Sequence, residues 1–154
     1  MIRIACLVGL LMFTLTQSTR ADFQKDLHDC DFAGDRPELQ ISACSKIISS
    51  NHADGLLLAT FYSNRGVAFK RQGQLGRAIR DYSEAVPLDP NLFIAWHNRE
   101  NAFFLIGEFG KAIKDYNQAI NLKPDFAEGY NGRGNLRRAV GNFDRAFKDY
   151  DSAV

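Results

Sequence analysis

The chain has 154 residues, 45% of them hydrophobic and 24% charged, with a formal net charge of +1. This is one domain's length of sequence, with enough apolar side chains for a core. So near-neutral a balance argues against a nucleic-acid binder or a protein held on an anionic membrane.

Residues 1–21 are predicted to be a secretory signal peptide. Arg3 supplies the positive start, and Ile4 to Leu15 is apolar apart from the weak interruptions at Gly9 and Thr14. That run falls short of the roughly 20 apolar residues a bilayer requires. Thr19-Arg20-Ala21 then offers a cleavage site after Ala21. The rival reading is an uncleaved membrane anchor. Cleavage removes Arg3 and Arg20 and turns the net charge from +1 to −1. The mature chain is expected in a periplasm or outside the cell, without membrane attachment.

Export puts Cys30 and Cys44 in an oxidising compartment, where an even pair reads as a disulfide. Gly34 and Pro37 between them suit a turn linking two helices. A loop of this size gives a stabilisation on the order of 3 kcal/mol. The competing reading is a zinc site of Cys30, Cys44, His28 and His52, which lacks the C-x2-C or H-x3-H spacing of such sites. No metal and no cofactor is expected.

From residue 59 the chain repeats itself. Arg65, Arg99 and Arg133 are 34 apart, as are Ala78, Ala112 and Ala146; Asp81, Asp115 and Asp149; Tyr82, Tyr116 and Tyr150; Ala85, Ala119 and Ala153; and Gly73, Gly107 and Gly141. Pro90 and Pro124 keep the same step. A period in this range signals stacked supersecondary units. With Ala59 as position 1, the units are 59–92, 93–126 and a truncated 127–154. Glycine at position 15 suits the left-handed turn that ends a first helix. A second helix follows with Ala78-Ile79, Tyr82 and Ala85-Val86 on one face. Proline at position 32 stops it.

Position 4 is aromatic in every unit (Tyr62, Trp96, Tyr130), and positions 20, 24 and 27 are Ala, Tyr and Ala. In these residues the chain resembles the tetratricopeptide repeat family. The resemblance implies an all-α fold, a right-handed superhelical solenoid of antiparallel helix pairs. With Ala43 at position 20, residues 22–58 read as a degenerate, disulfide-stapled front pair. Leu27 then falls at position 4 and Ile47 at position 24. The Arg and Asp ladders are expected to be structural ion pairs, and the tyrosines core.

Three residues depart from the pattern. Glu100 occupies position 8, where Gly66 and Gly134 stand, and is expected to tilt outward or find a cation such as Arg99. Pro87, inside the second helix of the first unit, predicts a kink or an early stop. Arg137 replaces the aromatic of position 11 and thins the third core. No capping helix follows the last one, so self-association through its face, around Phe147, Tyr150 and Val154, is expected.

The resemblance places the binding groove on the concave face of the first helices. Carried over, its residues are Ser63, Asn64, Val67, Lys70 and Arg71 in the first unit. The second contributes Ile94, His97, Asn98, Asn101, Phe104 and Leu105, and the third Asn131, Asn135 and Arg138. The asparagines are expected to be exposed and to pair with a peptide backbone, and Lys70, Arg71 and Arg138 to favour acidic residues around an apolar anchor. His97 is expected to be a solvated polar residue or a ligand contact. The five-residue clamp that some members use on chaperone carboxylates would fall on Ser63, Val67, Asn98, Glu128 and Gly132, and only Asn98 agrees.

Nothing catalytic stands out. There are three histidines, and no G-x-S-x-G, H-E-x-x-H or phosphate loop. Gly132-Arg133-Gly134 lies inside a predicted first helix, not after a strand. The sequence therefore reads as a non-enzymatic protein- or peptide-binding module acting outside the cytoplasm. The alternatives are a non-catalytic subunit of a cell-envelope enzyme assembly, or a remnant of a longer repeat protein.

Overall fold

The computed structural model describes residues 17–50 and 53–153. The apolar run of the predicted leader, His52 and Val154 lie outside the described residues. Among the described residues there are eight helices and no strand: α1 Gln17–Phe32, α2 Pro37–Ser49, α3 Gly55–Arg71, α4 Leu75–Leu88, α5 Phe93–Leu105, α6 Phe109–Leu122, α7 Ala127–Ala139 and α8 Phe143–Ser152. No helix among the described residues is long and apolar enough to cross a membrane.

The helices pack as four successive pairs, each pair also resting on the next. The first helices α1, α3, α5 and α7 touch one another in sequence and form an inner layer, with the second helices outside it. The result is an all-α helical repeat solenoid. Its core is correspondingly segmented. Ala59, Ala85, Val86 and Ala95 form one buried cluster; Phe69, Ala78, Tyr82 and Ala102 form another; Ala112, Tyr116 and Leu136 form a third. Each cluster joins one unit to the next, so stability is transmitted between neighbours rather than through one central core.

The turns follow from the glycines. Gly73, Gly107 and Gly141 sit at φ 72°, 78° and 79°, a region that glycine enters without a Cβ penalty. In each turn the glycine N–H bonds the second-last helical carbonyl and the next N–H bonds the third-last: Gly73 to Lys70 and Gln74 to Phe69, both at 2.9 Å, with the same pattern at Gly107 and Gly141. These paired bonds satisfy carbonyls that a helix end leaves open. Pro87 does not shorten its helix. α4 ends at Leu88, the counterpart of Leu122 where α6 ends. The lost N–H bond falls in the last turn, where it costs least.

The front pair is joined by a Cys30–Cys44 disulfide with a Cα–Cα distance of 4.9 Å. The two sulfurs are bonded to each other and so cannot ligate zinc. Both cysteines are buried with Ala43, Ile47, Leu57 and Phe61, and Gln40 Nε2 donates to the Cys30 carbonyl at 2.9 Å. α3 begins at Gly55, four residues before the other first helices, and this added turn carries Leu57 into the front core. The register of the front pair differs by three residues from the sequence reading. Arg65 bonds Ser45 as Arg99 bonds Ser83, so Gln40 rather than Ala43 stands at position 20, and Cys44 takes the tyrosine position. α1 runs through the predicted cleavage point, and a chain starting at Asp22 retains the helix to Phe32.

Tyrosine at position 24 needs a seat against a residue without a side chain. A Cβ on Gly66 would stand 2.6 Å from Tyr82 Cε1, and one on Gly134 would stand 2.6 Å from Tyr150 Cε1. In the second unit that seat is filled by Glu100. Tyr116 instead lies against Gly132 of the following unit, where a Cβ would stand 2.5 Å from its hydroxyl oxygen. This explains the Gly132-Arg133-Gly134 spacing: one glycine admits Tyr116 and the other Tyr150.

Gly132→Ala is therefore predicted to destabilise the protein by about 1 kcal/mol, the cost of overpacking exceeding the better helix propensity of alanine. In a Glu100→Gly background Tyr116 can take the seat that Tyr82 has, and the same substitution should cost less. Urea denaturation of the four proteins of this cycle reads the coupling, and strict additivity would refute the shared-seat account.

Candidate functional site

The sequence-derived groove residues do share the inner layer, but many already bond to one another. Ser63 is buried. Asn64 Nδ2 donates to Asp31 at 2.8 Å, and Val67 packs under the Phe69 cluster. Lys70 Nζ donates to Asn98 Oδ1 at 3.0 Å, and Arg71 Nη1 donates to the Gly34 carbonyl at 2.6 Å. Asn101 turns back to the His97 carbonyl at 3.2 Å, and Asn135 accepts the Tyr150 hydroxyl at 3.0 Å. Phe104 is half-buried against Phe109.

Two expectations change as a result. Asn98 is only 8% exposed, so it is not a free backbone reader. Lys70 and Arg71 are engaged within the chain, which leaves Arg138 as the open cation of the three. Burial, with Arg71 adding to it, draws the Lys70 ammonium below the ordinary lysine range. The exposed groove residues are Arg71, Ile94, Leu105 (61% exposed), Asn131, Asn135 and Arg138.

At the centre of the layer lies a buried acid–imidazole contact. Glu100 neither tilts outward nor meets Arg99. It is 0% exposed, with Oε1 at 2.6 Å from His97 Nδ1, while Arg99 goes to Asp115. Burial, and then the Asp115 charge, push Glu100 up to about 10. Burial, and then the Lys70 charge, push His97 down to about 4. Both are neutral at pH 7, so the Glu100 hydroxyl donates to Nδ1. Glu100 Oε2 is buried without a hydrogen-bond partner. His97 is therefore a half-buried packing residue, edge-on to Phe126 at 4.6 Å, rather than a solvated one.

The arginine ladder behaves as the spacing implies. Arg65 forks onto Asp81 at 2.8 and 2.9 Å, Arg99 onto Asp115 at 2.7 and 2.9 Å, and Arg133 onto Asp149 at 3.1 and 2.7 Å. Arg137, in place of an aromatic, gives Asp149 a second cation at 2.6 Å. Beside the first of these pairs, on the edge where α3 meets α4, is an open cleft of about 500 Å³ lined by Tyr62, Arg65, Phe69, Arg77, Arg80, Asp81 and Glu84. The sequence reading missed Arg77 and Arg80. The signal that could have found them is their own 34-residue recurrence.

Family models agree with the repeat. A model described as tetratricopeptide repeat matches residues 59–92, and one described as TPR repeat matches residues 101–137. No curated protein sequence matches the chain. Among solved structures, MamA aligns over 97% of this chain and 84% of its own, with a TM-score of 0.76 and 21% identity. A tetratricopeptide repeat protein from Parabacteroides merdae aligns over 89% of this chain and 52% of its own, at TM-score 0.75 and 24% identity. The second TPR of Spaghetti (RPAP3), bound to the HSP90 peptide SRMEEVD, aligns over 62% of this chain and 88% of its own, at TM-score 0.60 and 28% identity.

Glu100→Gln keeps a donor for His97 Nδ1 and removes the ionisable proton. In the unfolded chain Glu100 ionises near 4.5, whereas in the fold it holds its proton to about 10. Between those values stability falls as pH rises, by at most about 1.4 kcal/mol per unit. His97 titrates at 6.5 unfolded and about 4 folded, and works in the opposite sense between them. His97 titrates in both proteins and drops out of their difference, which is left to Glu100. The variant is predicted to gain on the parent in urea midpoint from about pH 4.5 to about pH 10. A pH-independent difference would mean that Glu100 is ionised in the fold.

Proposed function

Because the chain belongs to the tetratricopeptide repeat family, we propose that it is a non-enzymatic module that holds an extended segment of a protein partner along its inner layer, outside the cytoplasm. The observation that carries this reading is the pair of exposed apolar side chains on α5, Ile94 and Leu105, on a layer whose amides and cations are otherwise largely bonded. Apolar surface left open on a concave layer supports an apolar anchor. Asn131, Asn135 and Arg138 on α7 support pairing with a neighbouring backbone and one carboxylate. The two Spaghetti (RPAP3) domains, 28% and 29% identical, are bound to a peptide, which favours the same class of ligand here. Ser63, Val67, Glu128 and Gly132 supply no cationic clamp, so the recognised feature is the anchor rather than a terminal carboxylate.

A second reading rests on the last helix. Phe143 is 58% and Phe147 65% exposed. Ile79 and Ile113, the counterparts of Phe147, and Phe109, a counterpart of Phe143, pack in clusters that include Ala102 or Leu136 of the following unit. Association of another chain on α8 would cover this face.

Peptides selected from a random library on the intact protein are expected to share large apolar residues at two places, because Ile94 and Leu105 stand about 16 Å apart along α5. Leu105→Glu and Ile94→Glu should each weaken their binding about tenfold or more, since a carboxylate would be desolvated against the anchor. Unchanged binding by both, with loss on Phe147→Lys, would move the interface to α8.

The compartment is tested separately. The native protein should begin at or within a few residues of Asp22 and, denatured without reductant, show no alkylatable thiol. A Met1 terminus accompanied by free Cys30 and Cys44 thiols would rule out export.

A further inference from the structure

Six exposed cations occupy the same two positions of all three units: Arg77, Lys111 and Arg145 at position 19, and Arg80, Lys114 and Lys148 at position 22. One turn apart, each pair lies on a single face of its second helix. That face is not the inner layer. In the first unit Arg77 and Arg80 border the cleft between α3 and α4. Arg77 lies over the Phe69 ring at 3.9 Å, and Lys111 over Phe103 at 5.5 Å, contacts that hold the charges in place. The carboxylates that recur on this edge, Asp81, Asp115 and Asp149, are buried and taken up by Arg65, Arg99 and Arg133. The exposed acids near it, Glu84, Glu108, Asp144 and Asp151, each occur in a single unit, and Glu108 pairs with Lys111 at 3.4 Å. The cations also stand in the first two turns of their helices, where the helix dipole opposes positive charge. They do not serve helix stability there.

We propose that this outer edge is a second binding surface, for an acidic polypeptide segment laid along the stack with its carboxylates meeting one cation pair per unit. A nucleic acid fits less well. The rings that could stack on bases are already covered by cations of the chain, Arg65 over Tyr62, Arg99 over Trp96 and Arg133 over Tyr130, and Trp96 Nε1 donates to the Pro90 carbonyl. The ladder offers charge without a stacking platform.

The test uses the full chain and a fluorescent poly-glutamate peptide, with labelled oligothymidylate of equal charge as the competing polyanion. Poly-glutamate should bind at low ionic strength, more tightly than oligothymidylate, and weaken as salt rises. The triple variant Arg80→Glu, Lys114→Glu, Lys148→Glu should lose about tenfold or more, and Arg36→Glu, in the turn between α1 and α2 and outside both surfaces, should bind as the parent does. The triple Gln variant, read alongside, should lose less than the Glu variant, and it decides the matter should charge reversal prevent folding. The proposal fails if poly-glutamate does not bind, if the Gln variant binds as the parent does, if Arg36→Glu loses as much as the triple variant, or if oligothymidylate binds more tightly.

Discussion

One guanidinium per unit ties that unit to itself and to its predecessor. The Arg65, Arg99 and Arg133 forks close onto Asp81, Asp115 and Asp149 within a helix pair. The remaining nitrogen reaches back to Ser45 at 3.0 Å, Ser83 at 3.3 Å and Asn117 at 2.7 Å on the preceding second helix. The same cations lie 5.0 to 5.5 Å from the aromatic of position 4. A buried ion pair is weak evidence for net stability, because desolvation offsets most of the attraction. Its consequence here is register. The donors of a guanidinium are fixed in one plane, so sliding a helix by one turn would break several bonds together. Alanines at positions 20 and 27 permit a close approach at many offsets, and the arginine selects one of them. The front pair shows how far this reaches: it lacks the tyrosine and alanine pattern, yet joins the stack through Arg65 and Ser45.

The middle unit breaks the packing rule the other two obey, and the break spreads to its neighbour. Glu100 takes the glycine seat, and Tyr116 lies against Gly132 of the third unit. A carboxyl group in that seat stays protonated, bonded to His97 through one oxygen and unpartnered at the other. Such an arrangement is less stable than the glycine–tyrosine contact it replaces. Local rules broken at a stability cost tend to mark places where something other than stability is served. This one lies directly beneath His97, at the centre of the inner layer.

What the sequence revealed was whatever recurs with the period. The helix pairs, the glycine turns, the ion-pair ladder and the buried tyrosines are each repeated, so their environments can be inferred from one another. The Cys30–Cys44 bridge was legible for a different reason, an even pair across a turn. What escaped was set by exceptions. Position 8 reads as an outward carboxylate only while Tyr116 is assumed to keep its own seat, and nothing local to Glu100 shows that Gly132 offers another. Asn98 reads as exposed until Lys70, 28 residues away, is seen to need an acceptor. The front register slipped by three because its connections are longer, 33–36 and 50–54 against 72–74 and 89–92, and its helix carries neither the tyrosine nor the second alanine that would have fixed it. The basic edge escaped because net charge sums over the fold, and carboxylates buried in ion pairs count against cations that they do not shield.

An inner layer whose polar groups already bond to one another limits what it can bind. A ligand amide that pairs with Asn98 or Asn101 must first displace Lys70 or the His97 carbonyl. One hydrogen bond is then exchanged for another, with a net gain near zero. Affinity on that layer has to come from surface that is still in water, which places it at Ile94 and Leu105 and on α7. The outer edge is built the other way round, with rings and carboxylates satisfied and its lysines and arginines left facing solvent. Two surfaces with such different unmet requirements are suited to different segments, and because one is built from first helices and the other from second helices, a segment on one leaves the other in water.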